Sequence, residues 1–123
     1  MQLKIASPIL GFEEIKEAKL EKIDDFFYEL NCGQISFTLI DPLLLKEYDI
    51  IVPDYYIKAL EIEDPQDVKI YNIVTIANPI ENSTINFLAP LLVNTKKNLL
   101  GQIALDETKY PEYGLKESIK KFL

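Results

Sequence analysis

The 123-residue sequence has no histidine, one cysteine and no arginine, its 13 basic residues all being lysine. Each absence excludes something. Without histidine the commonest general base and metal ligand is missing, and with it the usual Ser-His-Asp and Cys-His arrangements. Without arginine there is no planar fork for bidentate contacts to phosphate or guanine, so no direct nucleic-acid binding is expected. Cys32 stands alone and cannot close an internal disulfide, which fits a reducing compartment. The apolar run in Met1–Ile5 is too short for a signal peptide, and no stretch approaches a membrane span. A soluble cytoplasmic protein with no membrane partner is expected.

What is present is apolar and acidic. A hydrophobic fraction of 48% excludes a disordered chain, and the length suits a single domain over residues 1–123. Twenty acidic residues against 13 lysines give a net charge of −7. The acidity is concentrated in two places. Between Glu13 and Glu29 lie seven acidic and three basic residues, and between Asp54 and Asp67 five acidic and one basic. Such faces usually serve solubility. The sharper alternative is a docking surface for a basic protein, which requires the two segments to be neighbours in the fold.

Short alternating or β-branched runs predict strands over Leu3–Ile5, Ala18–Ile23, Phe26–Leu30, Ile35–Ile40, Val68–Ala77, Ile85–Val93 and Leu99–Leu105. Asn31-Cys32-Gly33-Gln34 and Asn94-Thr95-Lys96-Lys97-Asn98 read as hairpin loops, the first with a glycine to supply a positive φ. Asp41-Pro42 and Asp64-Pro65 mark turns. Close spacing and turn connections favour a mainly β fold, a small antiparallel β-barrel-like domain, with two short helices. One helix follows Pro53 at its first position and runs to Leu60. The other spans Leu115–Leu123, with Leu115, Ile119 and Phe122 forming one apolar stripe.

The segment from Glu81 to Asn94 is the most informative. As a regular strand it sends Ile85, Phe87, Ala89, Leu91 and Val93 to one dry face. The other face, Asn86, Leu88, Pro90, Leu92 and Asn94, mixes amides and apolar groups with a proline that belongs at an edge or bulge. Either the strand is buried on both sides, or the mixed face is an exposed edge that accepts a partner segment. Carboxylate pairs such as Glu13-Glu14 and Asp24-Asp25 have no enclosing apolar surroundings that would raise a pKa, so catalysis is not expected. Metal-ligand spacing is missing too, and no cofactor is implied.

The order of elements along essentially the whole chain is similar to that of one known family. Ser7-Pro8-Ile9-Leu10-Gly11-Phe12-Glu13 is similar to the family's glycine-phenylalanine-glutamate opening. Ile35–Pro42 resembles its central strand ending at a proline, with Tyr48 following before the Pro53 helix. Thr84–Asn94 resembles the most distinctive signature, in which threonine and asparagine lead to alanine-proline and a terminal asparagine. Phe87 stands where the family usually has leucine. Gly101-Gln102-Ile103-Ala104-Leu105 and Tyr110 complete the likeness, and Tyr110–Leu115 looks like a subgroup feature.

Together these stretches resemble the flagellar assembly factor FliW family, and the resemblance implies a non-enzymatic barrel, a monomer when free, that binds flagellin and the RNA-binding translational regulator CsrA. The two partners compete, so export of flagellin frees the protein to antagonise CsrA and couples flagellin translation to filament assembly. Candidate partner-binding residues are Phe12, Glu13, Glu14 and Glu17 near the start, and Asn86, Leu88, Pro90, Leu92 and Asn94 on the mixed face. The competing reading is a small-ligand-binding or enzymatic β-barrel using surface carboxylates.

Overall fold

Alternation of apolar and charged residues shapes the first strands. β2 (Glu17–Lys22) buries Ala18 and Leu20 and exposes Glu17, Lys19 and Glu21. β1 (Gln2–Ile5) pairs with it antiparallel, as do β3 (Phe27–Asn31) and then β4 (Ser36–Ile40) in turn. The β3–β4 turn uses Gly33 at φ 86, as the sequence leads one to expect. β5 (Val68–Thr75), β6 (Thr84–Asn94) and β7 (Leu99–Gln102) continue the sheet, and β5 also pairs with β6. The result, in a computed structural model describing Met1–Phe122, is a closed seven-stranded barrel. One seam departs from the antiparallel expectation: β1 and β7 run parallel, Lys4 opposite Leu99 and Ile5 opposite Leu100.

The barrel interior is filled. Leu3, Leu20, Leu30, Leu39, Tyr71, Leu91 and Leu100, one from each strand, form its core with Ile9, Ala18 and Val93. Each such side chain contributes about 1.5–3 kcal/mol by leaving water. Two further apolar layers lie outside the barrel. One packs Tyr48, Tyr113 and Ile119 over Ile40, Val74, Ile85 and Phe87. The other packs Leu60 over Leu92 and Ile103, with Tyr56 and Ala59 alongside.

Leu60 ends α1 (Asp54–Ala59). Pro53 is extended at ψ 150 and caps α1, so the helix starts one residue later than the sequence suggests. A β-carbon on Gly101 would come within 2.9 Å of Leu60 Cδ1 and 3.0 Å of Ser7 Cβ, so the close approach of the α1 end to β7 needs glycine there. Asp41 and Asp64 each accept a backbone N–H two residues on, starting 3₁₀ turns at Pro42–Leu44 and Pro65–Asp67.

The expected regular alternation of β6 is overturned. Two steps on β5, Tyr71 to Ile73, face five on β6, Leu91 to Asn86. This odd surplus forms a long bulge that inverts the strand's facing. Ile85 and Phe87 therefore pack in the outer layer with Tyr48, whereas Leu91 and Val93 point into the barrel. Both sides of β6 are largely covered, and of the expected mixed face only Asn86 and Leu88 border an open surface. Pro90 is buried, Leu92 is fully buried beneath α1, and Asn94 is 2% exposed.

The C-terminal helix is likewise replaced. Glu117–Ser118 form β8, paired with Ile85 and Thr84, and Ile119–Phe122 form a 3₁₀ turn. Leu115 is exposed, so the expected stripe is broken. Leu123 lies outside the described residues. An isolated helix this short is marginal, and the segment gains more by pairing with β6 and covering its aromatic layer. Lys46 Nζ sits 4.1 Å from the Phe87 ring centroid, 4.9 Å from that of Tyr113 and 3.5 Å from Glu117 Oε2, tying the strap down.

Because Leu92 is sealed between barrel and helix, Leu92→Lys should abolish the cooperative thermal transition. Leu92→Ala should retain it but lose about 2–5 kcal/mol in urea unfolding. A folded Leu92→Lys protein of near wild-type stability would contradict this burial.

Candidate functional site

The β6 bulge is built from side-chain hydrogen bonds. Asn86 Oδ1 accepts from the N–H groups of Leu88 (3.0 Å) and Ala89 (3.2 Å), turning the strand out of its ladder. The carbonyls left over are met individually. Tyr48 O–H donates to Phe87 O at 2.5 Å, Asn72 Nδ2 to Asn86 O at 2.8 Å, and Gln102 Nε2 to Ala89 O at 3.0 Å. Pro90 has no N–H to lose, and its carbonyl accepts from Ile103 N. Asn72 Oδ1 is the single buried side-chain acceptor without a partner among the described residues.

Gln102 also links the bulge to the β1–β2 loop, its Oε1 accepting from Leu10 N at 2.8 Å. That link brings the loop over one end of the barrel. There Phe12 meets Phe37 edge-on, with centroids 5.3 Å apart. An open groove of about 460 Å³ results, walled by Leu10, Phe12, Phe37, Ile73, Leu88 and Leu105, with Asn86, Gln102, Glu107 and Leu115 also bordering it. Leu10 is 48% and Leu115 58% exposed, apolar groups left in water at its rim. Exposed Glu107 borders the groove, and exposed Glu13, whose Oε1 accepts from Gly11 N, lies in the same loop as Leu10 and Phe12.

Of the nine sequence-predicted residues, Phe12, Asn86 and Leu88 line the groove. Glu13 and Glu14 follow Phe12 directly and are exposed. Glu17 sits on β2 opposite Lys4 and is not among the lining residues. Pro90, Leu92 and Asn94 have structural duties instead. Asn94 Nδ2 donates to the carbonyls of Leu60 (2.8 Å) and Glu61 (3.2 Å), and its Oδ1 accepts from Lys96 N and Lys97 N, capping α1 and the β6–β7 turn together. Leu10, Phe37, Ile73, Leu105 and Leu115 were not anticipated. Only Leu10 carried a local signal, an apolar residue beside glycine in a loop.

N–H groups of Phe27 and Phe26 hold the Asp24 carboxyl below the usual range, and Thr108 does the same for Asp106. Among the described residues no group of three or more potential metal ligands is found. No helix among the described residues is long and apolar enough to cross a membrane.

The sequence itself settles the family: the model described as FliW protein matches residues 1–119. The chain belongs to the FliW family. It is 41% identical to flagellar assembly factor FliW 2 of Wolinella succinogenes, over 99% of this chain and 92% of that one. It is 43% identical to flagellar assembly factor FliW of Sulfurimonas denitrificans, over 100% and 98%. A crystal structure of the flagellar assembly factor FliW superposes with a TM-score of 0.86 at 30% identity, covering 95% of this chain and 84% of that chain. Its relatives are thus named as assembly factors rather than as enzymes, and the mainly β barrel is that of a solved FliW protein.

Burial raises the phenol pKa of two tyrosines, chiefly by desolvation: Tyr71 to about 12, and Tyr48, which holds the bulge, further still. A phenol whose folded pKa exceeds its unfolded value of about 10 stabilises the fold below that value, and the contribution fades as pH rises through the folded one. Stability in urea should therefore fall above about pH 10. Tyr48→Phe should cost about 1–3 kcal/mol at pH 7, by stranding the Phe87 carbonyl, and should lessen the alkaline decline. An unchanged midpoint at pH 7 would contradict the role given to Tyr48.

Proposed function

We propose that this chain acts in the cytoplasm as a flagellar assembly factor that binds flagellin and CsrA, antagonising CsrA and so coupling flagellin translation to filament assembly. The observation that carries this reading is the barrel-end groove, whose apolar walls, with Glu107 at their border, suit a partner segment with apolar anchors and a basic flank. An RNA-binding regulator needs a basic surface to hold phosphates. An acidic antagonist with a net charge of −7 is attracted to that surface and repels the competing RNA.

The alternative of a ligand-binding or enzymatic barrel fits less well. The interior is packed with apolar side chains from all seven strands. The acidic residues named above, apart from the partly covered Glu29, Asp41, Asp67 and Glu117, are exposed.

Calorimetry with purified flagellin and CsrA tests the proposal. Leu10→Lys and Leu115→Lys place a charge on half-exposed positions and should leave the melting temperature nearly unchanged. Each should weaken at least one partner by roughly ten-fold or more, about 1.4 kcal/mol. Affinity for CsrA should also fall as salt is raised. Wild-type protein that binds neither partner at tens of micromolar would sink the reading.

A further inference from the structure

A second concave surface lies on the α1 flank. Val52, Ile57, Ile62, Pro65, Val68 and Ile70, all apolar, line an open cleft of about 250 Å³. It shares no lining residue with the barrel-end groove. Local backbone geometry makes it. The N–H of Ile62 returns to the carbonyl of Ile57 at 2.9 Å, closing α1 with a Schellman-type turn, with Glu61 at φ 52. The turn sets Ile57 and Ile62 on the same cleft wall, with Ile57 left 37% exposed. None of the six residues of α1 is fully buried, so this wall is lightly held.

Charge says what would cover it. The cleft is set within the second acidic segment, where Asp54, Glu61, Glu63, Asp64 and Asp67 outnumber Lys58. Lys97 answers two of these, Glu63 at 2.9 Å and Glu61 at 3.5 Å. Asp54, Asp64 and Asp67 form no ion pair among the described residues. Nucleic acid and anionic lipid would be repelled, and a second copy of the chain would bring its own charge of −7. Apolar walls inside an acidic frame match an amphipathic segment with lysine or arginine on its polar side.

The acidic segments also lie on different sides of the molecule. The first runs along β2 and β3, whereas α1 packs over residues of β5, β6 and β7. In the seven-stranded ring, β2 is three strands removed from both β5 and β6. The single continuous acidic surface considered from the sequence is therefore not formed.

We propose that the α1-flank cleft is a second docking site, separate from the barrel-end groove, for a short basic amphipathic segment of a partner protein. The proposal is independent of which protein fills the groove.

Fluorescence anisotropy on the full chain tests it with a labelled leucine–lysine amphipathic peptide, a leucine–glutamate peptide of the same pattern serving as control. The leucine–lysine peptide should bind, and more weakly at high salt; the control should not bind. Ile57→Lys, and independently the exposed Glu63→Lys, should each weaken binding by roughly ten-fold, while Leu115→Lys in the groove should change it by less than about two-fold. Amide shifts in the labelled protein should cluster between residues 52 and 70. Glu63→Lys keeps the experiment decisive if Ile57→Lys loses its fold. Absence of binding, equal weakening by Leu115→Lys, no effect of Glu63→Lys, or amide shifts centred on the groove would each overturn the proposal.

Discussion

The bulge between Asn86 and Leu91 is the constraint on which the rest of the molecule depends. An odd surplus of residues in β6 inverts the strand's facing, so one strand supplies both the barrel core and an outer layer. Leu91 and Val93 fill the interior, while Ile85 and Phe87 anchor the aromatic layer beneath the C-terminal strap. The distortion frees carbonyls at buried positions, and each needs a donor to be tolerated. Tyr48, Asn72 and Gln102 supply those donors from three separate parts of the chain. Gln102 then carries the constraint to the surface by fixing the Leu10 amide, which shapes the groove.

Function follows from where the apolar surplus is left uncovered. The barrel interior is full, and most of the acidic residues named above are exposed. Leu10 and Leu115 stay in water at the end of the barrel, beside acidic loops. The two acidic segments stay apart, and the second surrounds the apolar cleft beside α1. In the proposed role, electrostatic attraction favours encounter with basic partners, and local apolar contacts decide where they rest.

The strands and hairpins were legible because they depend on local signals: alternation in β2, β-branched residues in β5, and Gly33 and Asn94 at the turns. Of the residues singled out from the sequence, Phe12, Asn86 and Leu88 border the groove. Three expectations failed for one shared reason, that tertiary contacts outweigh local periodicity. Leu92 and Asn94 look like an exposed edge until α1 folds over them. Leu115, Ile119 and Phe122 look like a helix stripe until Glu117 and Ser118 find the free edge of β6. Regular alternation predicts one facing for the whole of β6, because no local rule reports the side chains of Tyr48 and Asn72 that hold a bulge open.

The sequence by itself determined the family, the barrel class and the acidic character, because these rest on residue identity and on short-range backbone preference. Only the tertiary structure decided which face of β6 is inside, where the C-terminal segment lies and which apolar residues remain in water. Those outcomes depend on hydrogen bonds and packing between residues far apart in the chain, such as Gln102 to Leu10 and Asn94 to Leu60. Such pairings become defined only when the barrel closes.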